Sequence, residues 1–328
     1  MAVYQWYPGH MTKARRMMEE NIKLVDLVIE LADARIPESS RNPDIAALCG
    51  QKARVLVLNK ADLADPSRVL SYLETARAAG QKAVAMDARS RRGMDELRGY
   101  VREACAAKLA RDKRRGIVGR PLRAMVAGIP NVGKSTFINS FAGKACTKTG
   151  NRPGVTKGKQ WIRLAKDLEL LDTPGILWPK FEDPETGVRL ALAGAINEDI
   201  LEPSELAFSL LRYLEKKYPQ AVAARYGLPE ISAGTDQSAE KNSDSVVQTV
   251  GEVSDSAERL SDEIGVGTEY PAGTEQSADE AQLFLAVLSA VAEARSLKKV
   301  QGAPDTERAA AMLLDDFKNG RLGRISLE

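Results

Sequence analysis

A glycine-rich loop of eight residues is the part of this sequence best suited to bind phosphate. The stretch Gly128-Ile-Pro-Asn-Val-Gly-Lys-Ser135 fits the pattern GxxxxGK[ST] and follows an apolar run, residues 122–127, that predicts a buried strand. Glycines let successive N–H groups point at phosphate oxygens, and a helix beginning at Lys134 would add its positive N-terminal dipole. Lys134 is predicted to contact the β- and γ-phosphates, and the Ser135 hydroxyl to bind Mg²⁺. The predicted nucleotide-binding residues here are Asn131, Val132, Gly133, Lys134, Ser135 and Thr136.

A second motif, Asn59-Lys60-Ala61-Asp62, predicts recognition of guanine. A carboxylate such as Asp62 can accept two hydrogen bonds from the N1–H and 2-amino groups of guanine, which adenine does not offer in this arrangement. Asn59 can buttress the loop, and the aliphatic stem of Lys60 can cover the base. Such a site rejects the wrong base because it would leave buried polar groups unpaired. A looser base-contacting motif is expected after the next predicted strand, at Asp87, Ala88 and Arg89.

The sequence after the phosphate loop predicts a switch that senses the γ-phosphate. Residues 147–158 are rich in Gly, Thr and basic residues, and Thr156 is the candidate for a second Mg²⁺-binding hydroxyl. The predicted strand at residues 168–171 ends in Asp172-Thr-Pro-Gly175, a DxxG pattern. Asp172 would hold Mg²⁺ through water and the Gly175 N–H would contact the γ-phosphate, so that hydrolysis releases this loop.

Composition predicts a cytoplasmic protein. The 328 residues suffice for two domains, and they include no run of about 18 apolar residues that would indicate a membrane span. The first residues lack the pattern of a secretory signal. Cys49, Cys105 and Cys146 lie far apart, which argues against a disulfide framework and against a cysteine metal site.

Charge is distributed unevenly along the chain. Residues 232–282 contain twelve acidic and two basic residues, a net charge of −10, so the remainder carries +12. Basic residues cluster at 13–16, 108–123 and 144–166. Basic side chains can simply solvate helix faces, but three clusters in a phosphate-binding protein favour RNA as a partner.

The order of the motifs is circularly permuted. In Ras-like GTPases the phosphate loop comes first in the sequence. Here the guanine motif Asn59-Lys60-Ala61-Asp62, which has the pattern NKxD, precedes the phosphate loop, and DxxG comes last. Such a permutation is physically allowed because chain termini often lie close together in these domains. A permuted order also brings the DxxG switch close, in sequence, to the C-terminal part of the chain.

These motifs together resemble the ribosome biogenesis GTPase A family. The resemblance covers most of residues 1–230 and 280–328. The matching motifs are Tyr7-Pro-Gly-His-Met11, Asp33-Ala-Arg-Ile-Pro37, Asn59-Lys-Ala-Asp62, Gly128 to Thr136, Asn151-Arg-Pro-Gly-Val-Thr156, Asp172-Thr-Pro-Gly-Ile176, and Asp315-Asp-Phe to Gly323-Arg-Ile. The resemblance implies a cytoplasmic GTPase that binds the precursor of the large ribosomal subunit and acts late in its assembly. We expect it to be a monomer.

The expected fold is α/β, a circularly permuted Ras-like P-loop GTPase domain with a doubly wound, mostly parallel sheet and a small helical C-terminal domain. The N-terminal motif and a basic helix would occupy residues 1–24, and the GTPase domain residues 25–185. The helical domain, at 186–328, would contact ribosomal RNA, and its acidic segment 232–279 is predicted to be disordered. The basic side chains expected on its binding surface are Lys298, Lys299, Lys318, Arg321 and Arg324.

The residue after DxxG bears on catalysis. Ras-like enzymes place a water-orienting glutamine there, but this chain has Ile176, which cannot form that hydrogen bond. The family resemblance suggests His10, the single histidine, as the residue that positions water. It also suggests that Asn131 permits K⁺ to act as an additional positive charge beside GTP and Mg²⁺.

Three other functions remain open at this point. Ile176 is compatible with a nucleotide-gated scaffold with little turnover of its own. A permuted GTPase of the small subunit is disfavoured because clustered cysteines and a β-rich extension are absent from the sequence. A P-loop kinase is the weakest alternative, since NKxD and DxxG would then be coincidences.

Overall fold

A six-stranded sheet organises the part of the chain that is predicted to bind nucleotide. The computed structural model describes residues 16–117, 119–143, 160–165, 168–172, 183–196, 202–228 and 276–328. The strand order is β3-β2-β1-β4-β6-β5, with only β5 antiparallel to its neighbour. The strands are β1 (Leu27–Asp33), β2 (Ala53–Asn59), β3 (Lys82–Ala85), β4 (Leu122–Gly128), β5 (Gln160–Ala165) and β6 (Leu168–Asp172). The predicted mostly parallel, doubly wound sheet is confirmed.

The central strands are apolar because helices cover both faces of the sheet. Every residue of β1 is buried, including the acidic residues Glu30 and Asp33. A buried carboxylate requires a positively charged partner. Glu30 pairs with Arg41 at 3.1 Å, and Asp33 pairs with Arg35 at 2.8 Å.

Three of the helices around the sheet begin with the same local signal. Asn42, Asp65 and Asp183 each accept a hydrogen bond from the N–H two residues later, and each is followed by proline at the first helical turn. This combination of cap and proline starts a helix without leaving its first N–H groups unpaired. The helices are α1 (described over residues 16–22), α2 (Pro43–Cys49), α3 (Pro66–Ala78), α4 (Met94–Ala104), α5 (Ala106–Arg114), α6 (Lys134–Ala142) and α7 (Pro184–Leu192).

The chain divides into two compact units at a place other than the predicted boundary at residue 186. The first unit contains the motifs of the predicted GTPase domain, and we term it the GTPase unit. It runs to Asn197 and is rejoined by Arg324–Glu328, which we term the return segment. The second, helical unit comprises the chain between them. The end of α7 stays with the GTPase unit because the Ala193 carbonyl accepts from Arg35, and the Gly194 carbonyl from Asn131.

The helical unit is built on four described helices. They are α8 (Pro203–Lys217), α9 (Gln220–Tyr226), α10 (Gln276–Ala294) and α11 (Thr306–Lys318). Leucines at helical spacing on α8 (Leu206, Leu210, Leu214) are fully or nearly fully buried, as the sequence periodicity predicts. α10 begins at Gln276, so the last residues of the acidic segment 232–279 are helical, whereas its residues 232–275 lie outside the described chain.

Two arginines predicted on the RNA-binding surface have other partners. Arg321 pairs with Asp315 at 2.9 Å and with the buried Asp316 at 2.5 Å. Arg324 belongs to the return segment and donates to backbone carbonyls of the GTPase unit. Sequence pattern alone could not reveal these acceptors, since a basic side chain near a helix end has the same pattern whether or not it is paired.

Candidate functional site

The phosphate loop lies between β4 and α6, where two glycines are required by close approach. Gly128 has φ +156°, and a Cβ there would lie 2.6 Å from the Leu31 carbonyl oxygen of β1. Gly133 has φ +97°, and its Cβ would lie 2.4 Å from the Asn59 amide nitrogen. No larger residue fits either position without displacing a neighbour.

Lys134 begins α6 and lies inside this loop. Its side chain is 8% exposed, and its ammonium group donates to the carbonyl oxygens of Gly128 at 3.1 Å and Ile129 at 2.6 Å. Ser135 and Thr136 follow in the first turn of α6, which contains no acidic side chain. The helix dipole and the buried ammonium therefore reinforce one another as an anion-binding arrangement.

Asn59 joins the guanine motif to the phosphate loop. It is 2% exposed, and its amide nitrogen donates to the Val132 carbonyl at 2.8 Å. Its amide oxygen accepts from the Ala88 N–H at 3.2 Å. A single buried side chain thus brings together three segments that are far apart in the sequence.

Lys60 is held by a carboxylate at the end of the neighbouring strand. Asp33 accepts from Lys60 Nζ at 2.8 Å, and from Arg35 Nη2 at 2.8 Å and Nε at 3.0 Å. Burial alone would raise the pKa of Asp33, but the charges and hydrogen bonds of Arg35 and Lys60 keep that pKa well below its ordinary value. Asp33 therefore stays ionised and fixes the ammonium end of Lys60.

The remaining residues predicted to contact the base lie at the same edge of the sheet. Asp62 is exposed in the loop after β2, and the Ala61 N–H donates to the Met86 carbonyl at 3.1 Å. Asp87 accepts from the Arg89 N–H at 2.8 Å, which closes a tight turn around Ala88. Asn59, Asp62 and Ala88 are therefore brought to one end of the sheet, as the parallel strand order predicts.

Two residues of the predicted Mg²⁺ site lie at least partly within the described chain. Ser135 supplies a hard oxygen donor of the kind that Mg²⁺ prefers. Asp172 ends β6, where its backbone is in register with Val126 of β4, so the backbone of the DxxG motif begins beside the strand that leads into the phosphate loop. The side chain of Asp172, together with His10, Thr156 and Gly175, lies outside the described residues.

Asn131 is fixed between the phosphate loop and the end of α7. Its backbone adopts a left-handed conformation with φ +55°, and its amide nitrogen donates to the Gly194 carbonyl at 2.8 Å. Since α7 follows the DxxG segment in sequence, this bond ties the phosphate loop to the chain beyond the predicted switch. Its predicted role with K⁺ remains a proposal.

Comparison with known proteins decides the family. Residues 123–218 match a family model described as 50S ribosome-binding GTPase. The chain is 49% identical over 229 residues to Ribosome biogenesis GTPase A of Bacillus cereus, covering 70% of this chain and 77% of that one. This chain belongs to the ribosome biogenesis GTPase A family. It is accordingly a GTPase.

Further comparisons agree with this family assignment. The protein of the same name from Priestia megaterium is 49% identical over 228 residues, covering 69% of this chain and 79% of that one. A crystal structure of GNP-bound YlqF from Thermotoga maritima superposes with a TM-score of 0.55 at 22% identity. It covers 96% of this chain and 97% of its own, which supports the fold.

Sequence reasoning missed two parts of this site. It included Asp33 and Arg35 only within a family motif and assigned neither a role. Their signal was an acid and a base two residues apart at the end of a buried strand. The second part is the return segment, whose contacts join positions separated by about 260 residues in the chain.

Proposed function

We propose that this ribosome-assembly GTPase acts on the precursor of the large ribosomal subunit, and that GTP hydrolysis controls its release. The observation that supports the large subunit is the match of residues 123–218 to the 50S ribosome-binding GTPase model. The names of the similar bacterial proteins support a role in ribosome biogenesis. No helix in the described residues is long and apolar enough to cross a membrane.

In this proposal the guanine base lies against the loop after β2. Asp62 accepts hydrogen bonds from the base, Lys60 covers it, and Asn59 keeps its loop against the phosphate loop. Asp87, Ala88 and Arg89 flank the base from the segment after β3. The buried bond between Asn59 and Val132 supports this role because it sets the distance between base and phosphate contacts.

The triphosphate is bound by the phosphate loop and the start of α6. Backbone N–H groups of residues 131–136 and the Lys134 ammonium face its negative charge. Mg²⁺, when bound, would neutralise charge developing on the phosphate oxygens, with Ser135, Thr156 and Asp172 as its protein ligands. Gly175 would sense the γ-phosphate through its N–H.

Ile176 cannot hydrogen-bond to water, and the family resemblance suggests His10 as the residue that positions it. Phosphoryl transfer depends chiefly on positioning and electrostatics, so this role requires orientation rather than strong basicity. Asn131 would help to place K⁺ near the transferred phosphate. The same Ile176 favours the second candidate function, a nucleotide-gated scaffold with little turnover of its own.

The proposed RNA contact is the loop between α10 and α11. Lys298 and Lys299 are exposed there, next to the fully exposed Val300. The loop is closed by an antiparallel bridge between Lys298 and Pro304. Exposed lysines on a braced loop can neutralise RNA phosphates without distorting the helices that hold them. Lys318, near the end of α11, would add to this surface.

The test is GTP hydrolysis by the purified protein alone, with large subunits and with small subunits, in K⁺ and in Na⁺ buffers. We expect slow intrinsic turnover that large subunits stimulate, more strongly in K⁺, and loss of most stimulation in His10→Ala. Stimulation by small subunits alone would overturn the partner assignment. Tight GTP binding without turnover under every condition would favour the scaffold.

A further inference from the structure

The return segment contacts the loop after β2, residues 60–65, which we term the guanine loop, at four of its residues: Ala61, Leu63, Ala64 and Asp65. Arg324 donates from Nη2 to the Ala61 carbonyl at 2.9 Å and from Nε to the Ala64 carbonyl at 3.0 Å. The N–H of Ile325 donates to the Leu63 carbonyl at 3.1 Å. These acceptors flank Asp62 on both sides in the sequence.

The fourth contact is made by a serine hydroxyl. The Asp65 N–H donates to Ser326 Oγ at 3.1 Å, just before α3 begins. Buried backbone polar groups need such partners. The return segment therefore fixes the backbone from Ala61 to Asp65.

The last two residues of the return segment connect to the guanine loop indirectly, through contacts with residues 35–39. The Leu327 N–H donates to the Arg35 carbonyl at 2.8 Å. The Glu328 carboxylate accepts from the N–H groups of Glu38 at 2.6 Å and Ser39 at 3.0 Å. Arg35 in turn binds Asp33, the carboxylate that holds Lys60.

The residues of the return segment differ in burial, which distinguishes those that anchor the segment from Arg324, which contacts the loop. Ile325, Ser326 and Leu327 are each at most 2% exposed, so they anchor the segment to the GTPase unit. Arg324 is exposed, and its guanidinium reaches two loop carbonyls. Removing its side chain therefore opens no apolar cavity.

Asp62 depends on this backbone for its position. Its side chain is exposed, so the direction of its carboxylate follows from the residues on either side. Ala61 is fixed from within the loop region by Met86, and Leu63 by its bond to the Lys60 carbonyl. The return segment adds hydrogen bonds to the carbonyl oxygens of the same two residues.

We propose that Arg324 is a positioning residue for guanine recognition, which acts by holding the Ala61–Asp65 backbone so that Asp62 meets the base. This inference rests on the proposed guanine loop. It assigns a base-selectivity role to a residue that follows the helical unit in the sequence. Arg324 does not touch the base; its influence passes through the carbonyls of Ala61 and Ala64.

The test compares Arg324→Ala with Arg308→Ala in the full chain. Arg308 is an exposed arginine of α11, so its loss matches the change in charge. Dissociation constants for GDP and IDP are measured by competition with a fluorescent guanine nucleotide. IDP lacks the 2-amino group and offers Asp62 one hydrogen bond instead of two.

We expect Arg324→Ala to weaken GDP binding about threefold to tenfold. This loss is smaller than the full contribution of two charge-assisted hydrogen bonds, because Arg324 acts on the base only through the loop backbone. IDP binding should weaken less, so the ratio of IDP to GDP dissociation constants falls. The KM for GTP should rise with kcat unchanged, and Arg324→Lys should restore part of the effect. Arg308→Ala should resemble the unmodified protein in each measurement.

Two results would overturn the inference. Equal weakening of GDP and IDP together with a lower melting temperature would show a structural role alone. Unchanged affinities would show that the loop does not need Arg324. A different result is expected if the proposed guanine loop does not bind the base. The unmodified chain would then not distinguish GDP from IDP, and Asp62→Asn would change neither affinity.

Discussion

The side-chain amide of Asn59 donates a hydrogen bond to the carbonyl oxygen of Val132 at 2.8 Å, which joins the loop after β2 to the phosphate loop after β4. Both loops emerge from the same edge of the sheet, on strands separated only by β1. The permuted order of the motifs therefore leaves their spatial relation intact.

Replacement of Asn59 by alanine should separate the two loops. The change removes both side-chain hydrogen bonds and leaves the Val132 carbonyl without this donor. We expect GDP affinity to fall about tenfold to a hundredfold, which corresponds to one or two buried hydrogen bonds. Titration with a fluorescent guanine nucleotide measures the loss. Asn319→Ala, which alters an exposed amide bonded to Asp315, is the control and should leave affinity unchanged.

Gly133→Ala should prevent the phosphate loop from binding nucleotide tightly. Its Cβ would lie 2.4 Å from the Asn59 amide nitrogen, and φ is +97°. We expect nucleotide affinity to drop by about a hundredfold or more, because backbone strain and displacement of Asn59 act together. Gly143→Ala is the matched control: it has φ +69° with open space around it, so it should cost only about 1 kcal/mol of stability. Equal loss of affinity in both variants would contradict this account.

Asp33→Asn should destabilise the protein at neutral pH. It removes the carboxylate charge that pairs with the buried Arg35, and breaking a buried ion pair typically costs about 3 kcal/mol of the free energy of unfolding. Denaturant unfolding at pH 7 measures this cost. Asp315→Asn, at an exposed ion pair, should cost about 0.5 kcal/mol or less.

Asp33 should also make stability depend on pH at the acidic end. The pKa of this carboxyl is lowered by folding, so its contribution is present above the ordinary value of 3.8 and is lost as pH falls below it. The difference in stability between the unmodified protein and Asp33→Asn should therefore be smaller at pH 3 than at pH 7. A difference that grows in acid would contradict the assigned charge state.

Removing Lys298 and Lys299 together should weaken binding to ribosomal RNA with little effect on GTP hydrolysis by the free protein. For each lysine that neutralises an RNA phosphate, its removal should reduce the slope of log affinity against log salt concentration by about 0.7 to 0.9. Binding to large subunits at several salt concentrations gives that slope. The double variant Lys216→Ala, Lys217→Ala, at the end of α8, removes the same charge elsewhere on the helical unit. If both double variants change the slope equally, net charge rather than this loop determines binding.

The strands were predictable because their signal is local. Apolar runs predicted a strand over residues 122–127, observed as Leu122–Gly128, and another over 168–171, observed as Leu168–Asp172. The helical stretch after β3 is divided into two helices, α4 and α5, which meet at Cys105. Periodicity did not predict that break, because apolar spacing continues through it.

Most of the candidate site was named from the sequence, but its internal contacts were not. The motif residues of the phosphate and guanine loops follow known spacing patterns. The pairing of Asp33 with Lys60 depends on the register that places Asp33 opposite Asn59 in adjacent strands. The contacts of Arg324 depend on the chain returning to the GTPase unit after the helical unit, and no short-range pattern encodes that return.

The position of the return segment after the helical unit also determines when its contacts can form during synthesis. The ribosome makes the phosphate loop, the guanine loop and all four described helices of the helical unit before it makes Arg324–Glu328. A nascent chain that has folded its sheet still lacks the contacts that fix Ala61 to Asp65. The guanine loop therefore gains these contacts only after the sequence of the helical unit has been synthesised.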